Sequence, residues 1–195
     1  MRKFLKTTVV MMAISFSGGI PSAVAADAPQ PAREVTLLYI ADLHAQLEEH
    51  PELFWNSGKE ELVPAGGLAR VAAAVNSIRK EKPGQVLFLD AGDTLQGSGP
   101  AAWSEGAALV QPLNALRLDL ALPGNWEVVY GIPALQRRVA ELNYPMLAAN
   151  VLEADTGKPS FSRFSVREIN GVRIGFFGYT DPDVPRRQPP GYSKG

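Results

Sequence analysis

The chain predicts an α/β domain built on a mixed sheet, and three observations carry that reading. Residues 86–89, Val-Leu-Phe-Leu, form a short unbroken apolar run, the pattern of a strand buried on both faces beneath helices. Apolar runs alternate with segments of helical spacing in the order β–α–β–α–β–α–β. A last pair of runs, 164–169 and 172–177, flanks Asn170-Gly171, the strongest short-range hairpin signal.

Residues 26–33 read as a linker, and 35–40 as the first strand. Residues 46–65 have no clear period and predict a long surface loop. Gly66-Gly67 then breaks the chain before a helix over 68–80. There Leu68, Val71, Ala72, Val75 and Ile78 fall at helical spacing, with Arg70, Asn76 and Arg79 elsewhere on the wheel. Lys82-Pro83-Gly84 stops it. After the second strand, the loop Gly97-Ser98-Gly99-Pro100 leads into a helix over 101–116, with Leu109, Leu113 and Leu116 on one face. Pro112 must kink or interrupt that helix. The third strand is 118–122. Pro133 opens a helix carrying Leu135, Val139 and Leu142, and 146–149 is the fourth strand.

A chain of 195 residues, 46% hydrophobic, suits one soluble domain with a real core. Its net charge of -1 gives no electrostatic case for nucleic acid or for an acidic membrane surface. With no cysteine, a metal must be held by oxygen and imidazole nitrogen. The first 25 residues follow the order of an export signal: Arg2, Lys3 and Lys6, then an apolar centre from Thr7 to Phe16, then Ala23-Val24-Ala25. The apolar part is shorter than the about 20 residues that spanning a bilayer takes. The expectation is cleavage after Ala25, a periplasmic or otherwise exported address, and no stable membrane insertion afterwards. An uncleaved anchor or a buried helix are the other readings.

The chemistry gathers where apolar runs end. Leu87-Phe88-Leu89 stops in Asp90-Ala91-Gly92-Asp93, the first run stops in Asp42-Leu43-His44, and the third in Gly124-Asn125-Trp126-Glu127. In an open α/β sheet the carboxyl ends of the strands are where ligands bind. A hard carboxylate beside a neutral imidazole suits Mn²⁺, Zn²⁺ or Fe better than Ca²⁺. Taken alone, Asp42 and His44 read first as a turn-capping acid and a solvated imidazole. Asp93 can bind one ion through each oxygen or share one between two, or else cap a turn. Asn125 offers an amide oxygen, or is a plain turn residue. Asp90, inside the turn, reads as structural. Glu127 reads as a cap, a ligand or a hydrogen-bond partner of a neighbouring turn, and no chemistry is assigned to it.

Asp42-x-His44, Gly67 opening a helix, Gly92-Asp93-Thr94 and Gly124-Asn125-x-Glu127 resemble the calcineurin-like metallophosphoesterase superfamily. Ile40-Ala41-Asp42-Leu43-His44-Ala45, Ala91-Gly92-Asp93-Thr94-x-Gln96-Gly97-Ser98 and Gly171-x-x-Ile174-Gly175-x-x-Gly178 are similar to its exported 5′-nucleotidase and thiosulfohydrolase branch. The resemblance implies a mixed β-sheet sandwich flanked by helices, incomplete at the carboxyl end, with residues 34–195 the amino-terminal part of the catalytic domain. It implies two divalent metal ions (Mn, Zn or Fe): Asp42 and His44 hold one, Asp93 bridges, and Asn125 holds the second. The implied function is hydrolysis of a small-molecule substrate, a nucleotide or other phosphate ester, by metal-activated water.

Two departures accompany the likeness. The nucleotidase pattern has a His–Asp proton-handling pair where this chain has Trp126 and Val129, neither ionisable. Thiosulfohydrolases also carry Trp there, so a sulfur-ester activity is the alternative. Family members also supply further histidines downstream, including a Gly-His-x-His turn; this chain holds only His44 and His50. His50 is expected to be solvated. By itself the chain is expected to be weak or inactive, or a non-catalytic metal-binding fragment.

Overall fold

The computed structural model describes residues 32–189 and 191–192. The chain divides into two units, Met1–Ala32 and Arg33–Gly195, and the fold described is that of the second. The expected signal segment, and all but the last two residues of the expected linker, lie outside the described residues.

In chain order the elements are β1 (Thr36–Ile40), β2 (Glu49–Asn56), β3 (Lys59–Gly66), α1 (Leu68–Glu81), β4 (Val86–Asp90), α2 (Gly99–Trp103) and α3 (Ala107–Leu116). There follow β5 (Leu120–Ala121), α4 (Ile132–Glu141), β6 (Phe164–Ile169), β7 (Val172–Phe177) and α5 (Val184–Arg187). β1, β4 and β5 make a parallel sheet in the order β1-β4-β5. β2–β3 and β6–β7 are separate antiparallel pairs, so the mixed character is shared among three sheets rather than held in one.

β4 is central, and Leu87, Phe88 and Asp90 on it are buried, as its unbroken apolar run requires. β1, at the sheet edge, alternates: Leu38 and Ile40 pack on the core while Leu37 and Tyr39 are exposed. Helix α1 packs Leu68, Val71, Ala72 and Val75 into the same core, which α3 fills with Leu109, Leu113 and Leu116. Full burial of one such leucine contributes about 1.5–3 kcal/mol. Arg79 of α1 donates to the Leu116 and Arg117 carbonyls (3.0 and 2.6 Å), closing the end of α3.

The structure departs from the sequence reading in four places. Residues 46–65 are not a loop but hold the β2–β3 ribbon, turned at Ser57 and Gly58, both with positive φ (52° and 80°), as a two-residue hairpin turn requires. The ribbon buries neither face, so it carries no alternation to read. His50, on β2, is half-buried, with Nε2 3.2 Å from Glu52 Oε2. The expected helix over 101–116 is two helices, and the break lies at Glu105-Gly106 (φ 50° and 83°), while Pro112 stays inside α3. Residues 146–149 form no ladder. Leu147 N donates to Ala121 O (2.8 Å), but the next residues change partners, Ala148 N to Ser162 O (3.0 Å) and Ala149 N to Gly178 O (2.8 Å). The third strand contracts to Leu120–Ala121, while the Asn170-Gly171 hairpin lies where the pattern placed it.

Candidate metal centre

Because β1 and β4 are parallel and in register up to Ile40 and Asp90, their carboxyl ends lie side by side. The pairing continues into both loops. Ala91 N donates to Ile40 O (2.8 Å), Asp42 N to Gly92 O (2.9 Å), His44 N to Asp93 O (2.9 Å) and Ala45 N to Thr94 O (3.1 Å). Asp42, His44 and Asp93 all adopt left-handed backbone, with φ of 54°, 46° and 57°. Few non-glycine residues do so, and such conformations persist where surrounding bonds over-determine them. One ligand atom from each of these three side chains then lies within 4.8 Å of the others. The His44 Nε2 to Asp42 Oδ1 distance is 3.7 Å. Asp42 is exposed and Asp93 buried, so the group opens to solvent on one side and is anchored on the other.

Two of the donors are braced. The Gln96 carboxamide lies 2.5 Å from His44 Nδ1, fixing the ring through the nitrogen that faces away from Asp42. Asp93 Oδ1 accepts from Trp126 N at 2.8 Å. The loop after β5 presses onto the loop after β4: a Cβ on Gly92 would stand 2.3 Å from Gly124 N, and one on Gly124 would stand 2.2 Å from Asp93 Oδ1. Asn125, Asp42, Asp93 and Tyr179-Thr180-Asp181 line one cavity of about 260 Å³. The structure thus gathers Asp42, His44 and Asp93 and sets Asn125 on the wall of the cavity that Asp42 and Asp93 share. Two carboxylates, an imidazole and an amide oxygen are a donor set that fits a divalent transition ion.

Asp90 is structural, as its place in the turn suggested: Oδ1 accepts from Gly92 N (3.0 Å) and Thr94 Oγ1 (2.9 Å), and burial pushes its carboxyl up to about 6. Of the readings the sequence left open for Glu127, the structure bears out the hydrogen bond to a neighbouring turn. Its carboxylate is buried and accepts from four backbone N–H groups, those of Asp93 (2.9 Å), Thr94 (2.6 Å), Leu95 (3.1 Å) and Gly124 (2.6 Å). Burial pushes Glu127 up to about 7, partly offset by those donors. Gln188 was missed; its Nε2 donates to the Asn125 carbonyl at 3.0 Å, while its buried Oε1 has no partner among the described residues. Only the acidic residue closing Gly124-Asn125-Trp126-Glu127 hinted at the first; nothing local hinted at the second. Trp126 is about one-third exposed, and neither it nor Val129 offers an ionisable group.

No protein-family model matches the chain. It is 32% identical over 167 residues to 5′-nucleotidase of Bos taurus, an alignment covering 81% of this chain and 28% of that protein. Its fold superposes on the NAD nucleotidase of Haemophilus influenzae with a TM-score of 0.72 and 26% identity, covering 80% of this chain and 28% of that one. The fold is also that of the sulfate thiohydrolase SoxB of Thermus thermophilus, with a TM-score of 0.70, 21% identity, and coverage of 84% of this chain and 38% of that one. The chain spans under a third of the length of the curated relatives it matches, 32% of one and 28% of another. The chain is thus similar over most of its length to the amino-terminal part of 5′-nucleotidases, and its fold is that of calcineurin-like phosphoesterases.

Proposed function

We propose that this chain carries the metal-holding part of an exported two-metal hydrolase of the 5′-nucleotidase type, acting on nucleotides or other small phosphate esters. The observation that carries the reading is the convergence of Asp42, His44 and Asp93 within 4.8 Å from two separate strand ends. In this reading Asp42 and His44 hold one ion, Asp93 is shared, and Asn125 holds the second, the ions being Mn²⁺, Zn²⁺ or Fe. Bound divalent cations supply Lewis acidity, acidifying water and neutralising charge that grows on the ester oxygens. Asp93 suits the shared role because its buried carboxylate is held by Trp126 N yet faces the cavity. His44 keeps its orientation through Gln96. Trp126 and Val129 cannot relay a proton, so turnover on ordinary esters is reduced by about 10²–10⁴-fold, the usual worth of general acid–base help.

Residues 34–195 belong to the catalytic domain in this reading, 26–33 are a linker, and 1–25 are a signal removed after Ala25. No helix among the described residues is long and apolar enough to cross a membrane. The near-neutral charge supports a small-molecule partner rather than nucleic acid. Titration of the purified chain with Mn²⁺, followed by phosphate release from nucleoside monophosphates, tests the proposal. The expected outcome is metal-dependent release, with Asp93→Ala abolishing both binding and release. Metal binding with no hydrolysis under any condition leaves only a metal-binding fragment.

A sulfur-ester substrate is the second reading, favoured by Trp126 directly after Asn125, where the nucleotidase pattern has an ionisable histidine. Sulfate release from thiosulfonate conjugates would support it. Brisk nucleotidase activity without sulfate release rules it out.

A further inference from the structure

Glu127 lies between the loop after β4 and the loop after β5, and its carboxylate bonds to both. Oε2 accepts from Asp93 N and Gly124 N, and Oε1 from Thr94 N and Leu95 N. Three of those donors belong to the loop after β4 that presents Asp93; the fourth immediately precedes Asn125 in the loop after β5. Trp126 N returns a bond to Asp93 Oδ1 (2.8 Å), closing a ring between the loops. The carboxylate is only 3% exposed, so water offers those N–H groups no ready substitute.

We propose that Glu127 is a positioning residue: by locking the Asp93 and Asn125 loops together before any ion arrives, it sets the spacing that admits a second divalent cation beside the first. The inference rests on the metal-site reading of Asp42, His44, Asp93 and Asn125. A purely structural role would lower stability without touching the relation between the two ions. Glu127→Gln separates the cases. The amide keeps the shape, but only one of its two terminal atoms can accept, so one pair of N–H donors loses its acceptor. Asp42 and His44 come from the loop after β1, which Glu127 does not bond.

The experiment titrates Mn²⁺ alone into the full chain, wild type and Glu127→Gln, and records electron paramagnetic resonance spectra at each step. Two Mn²⁺ ions roughly 3.5–4 Å apart are exchange-coupled, which isolated ions are not. The wild type should bind two ions and develop the coupled spectrum. Glu127→Gln should keep the first ion and lose the coupled spectrum, the second ion binding about 10–100-fold more weakly. A variant with unchanged stoichiometry and coupling overturns the inference alone. A wild type that binds fewer than two ions overturns the metal-site reading, and this inference with it. Hydrogen exchange of metal-free wild-type protein needs no variant: the amides of Asp93, Thr94, Leu95 and Gly124 should already be protected, and their free exchange overturns the claim of prior locking.

Discussion

At Gly124 a hydrogen stands where any side chain would collide with Asp93, the hypothetical Cβ lying 2.2 Å from Oδ1 and 2.3 Å from N. Gly124→Ala must push the two loops apart, which overpacking arguments put at about 1–3 kcal/mol of stability. The same displacement should weaken Mn²⁺ binding at least about tenfold, as misplaced supporting contacts do. Urea unfolding and metal titration of this variant check the pair of effects, and an alanine tolerated in both would contradict the close approach. At this scale the gathered donors were legible. Asp42, His44 and Asp93 each end an apolar run, and the end of a parallel strand is a defined place. For Glu127 a bond to a neighbouring turn was one open reading, but which turn was not legible, because its partners are backbone N–H groups up to 34 residues away, and backbone donors carry no residue identity.

Among the elements that the pattern misread, the 46–65 ribbon and the 101–116 helix fail for different reasons. The β2–β3 ribbon stands with most of both faces exposed, so burial never imposed a period of two on it. Helices α2 and α3 part at Glu105-Gly106, and Gly106 there packs so close that a Cβ would stand 3.2 Å from Leu95 O. Proline was the visible suspect, yet it sits within α3 and removes a single ladder bond. Pro112→Ala should therefore leave the break where it is and raise stability by about 1–3 kcal/mol, by restoring that donor in a helix interior. Far-ultraviolet circular dichroism through a urea titration measures both. A gain of helix large enough to fuse α2 with α3, or a loss of stability, would show that Pro112 shapes the break after all.

Across the whole molecule, the buried loop acids make stability depend on pH. Burial raises the Asp90 carboxyl from 3.8 to about 6 in the folded chain, so between those values the folded state holds more protons than the unfolded one. Stability from this group is fully present below pH 3.8 and is lost as pH rises through 6. The loss amounts to about 3 kcal/mol at about 1.4 kcal/mol per pKa unit. Both Asp90 hydrogen bonds end on Oδ1, which an asparagine retains. Asp90→Asn should thus flatten the acid-side slope and leave the metal-free protein more stable near pH 8. Urea midpoints at about pH 4 and about pH 8 with a chelator present decide it; an unchanged slope would mean that Asp90 does not carry the effect.

Local pattern alone determined the central buried strand, the amphipathic helices, the Asn170-Gly171 turn and the strand-end positions of Asp42, His44, Asp93 and Asn125, because periodicity, turn chemistry and chain breaks act between near neighbours. Only the tertiary structure decided that Asp42, His44 and Asp93 meet, with Asn125 on the wall of the cavity beside them. Parallel register puts the carboxyl ends of β1 and β4 side by side, left-handed backbone turns both loops there, and one buried carboxylate from the loop after β5 bonds across to the loop after β4. Such contacts join residues far apart in the chain through main-chain atoms every residue shares, and they exist only once the sheet has formed.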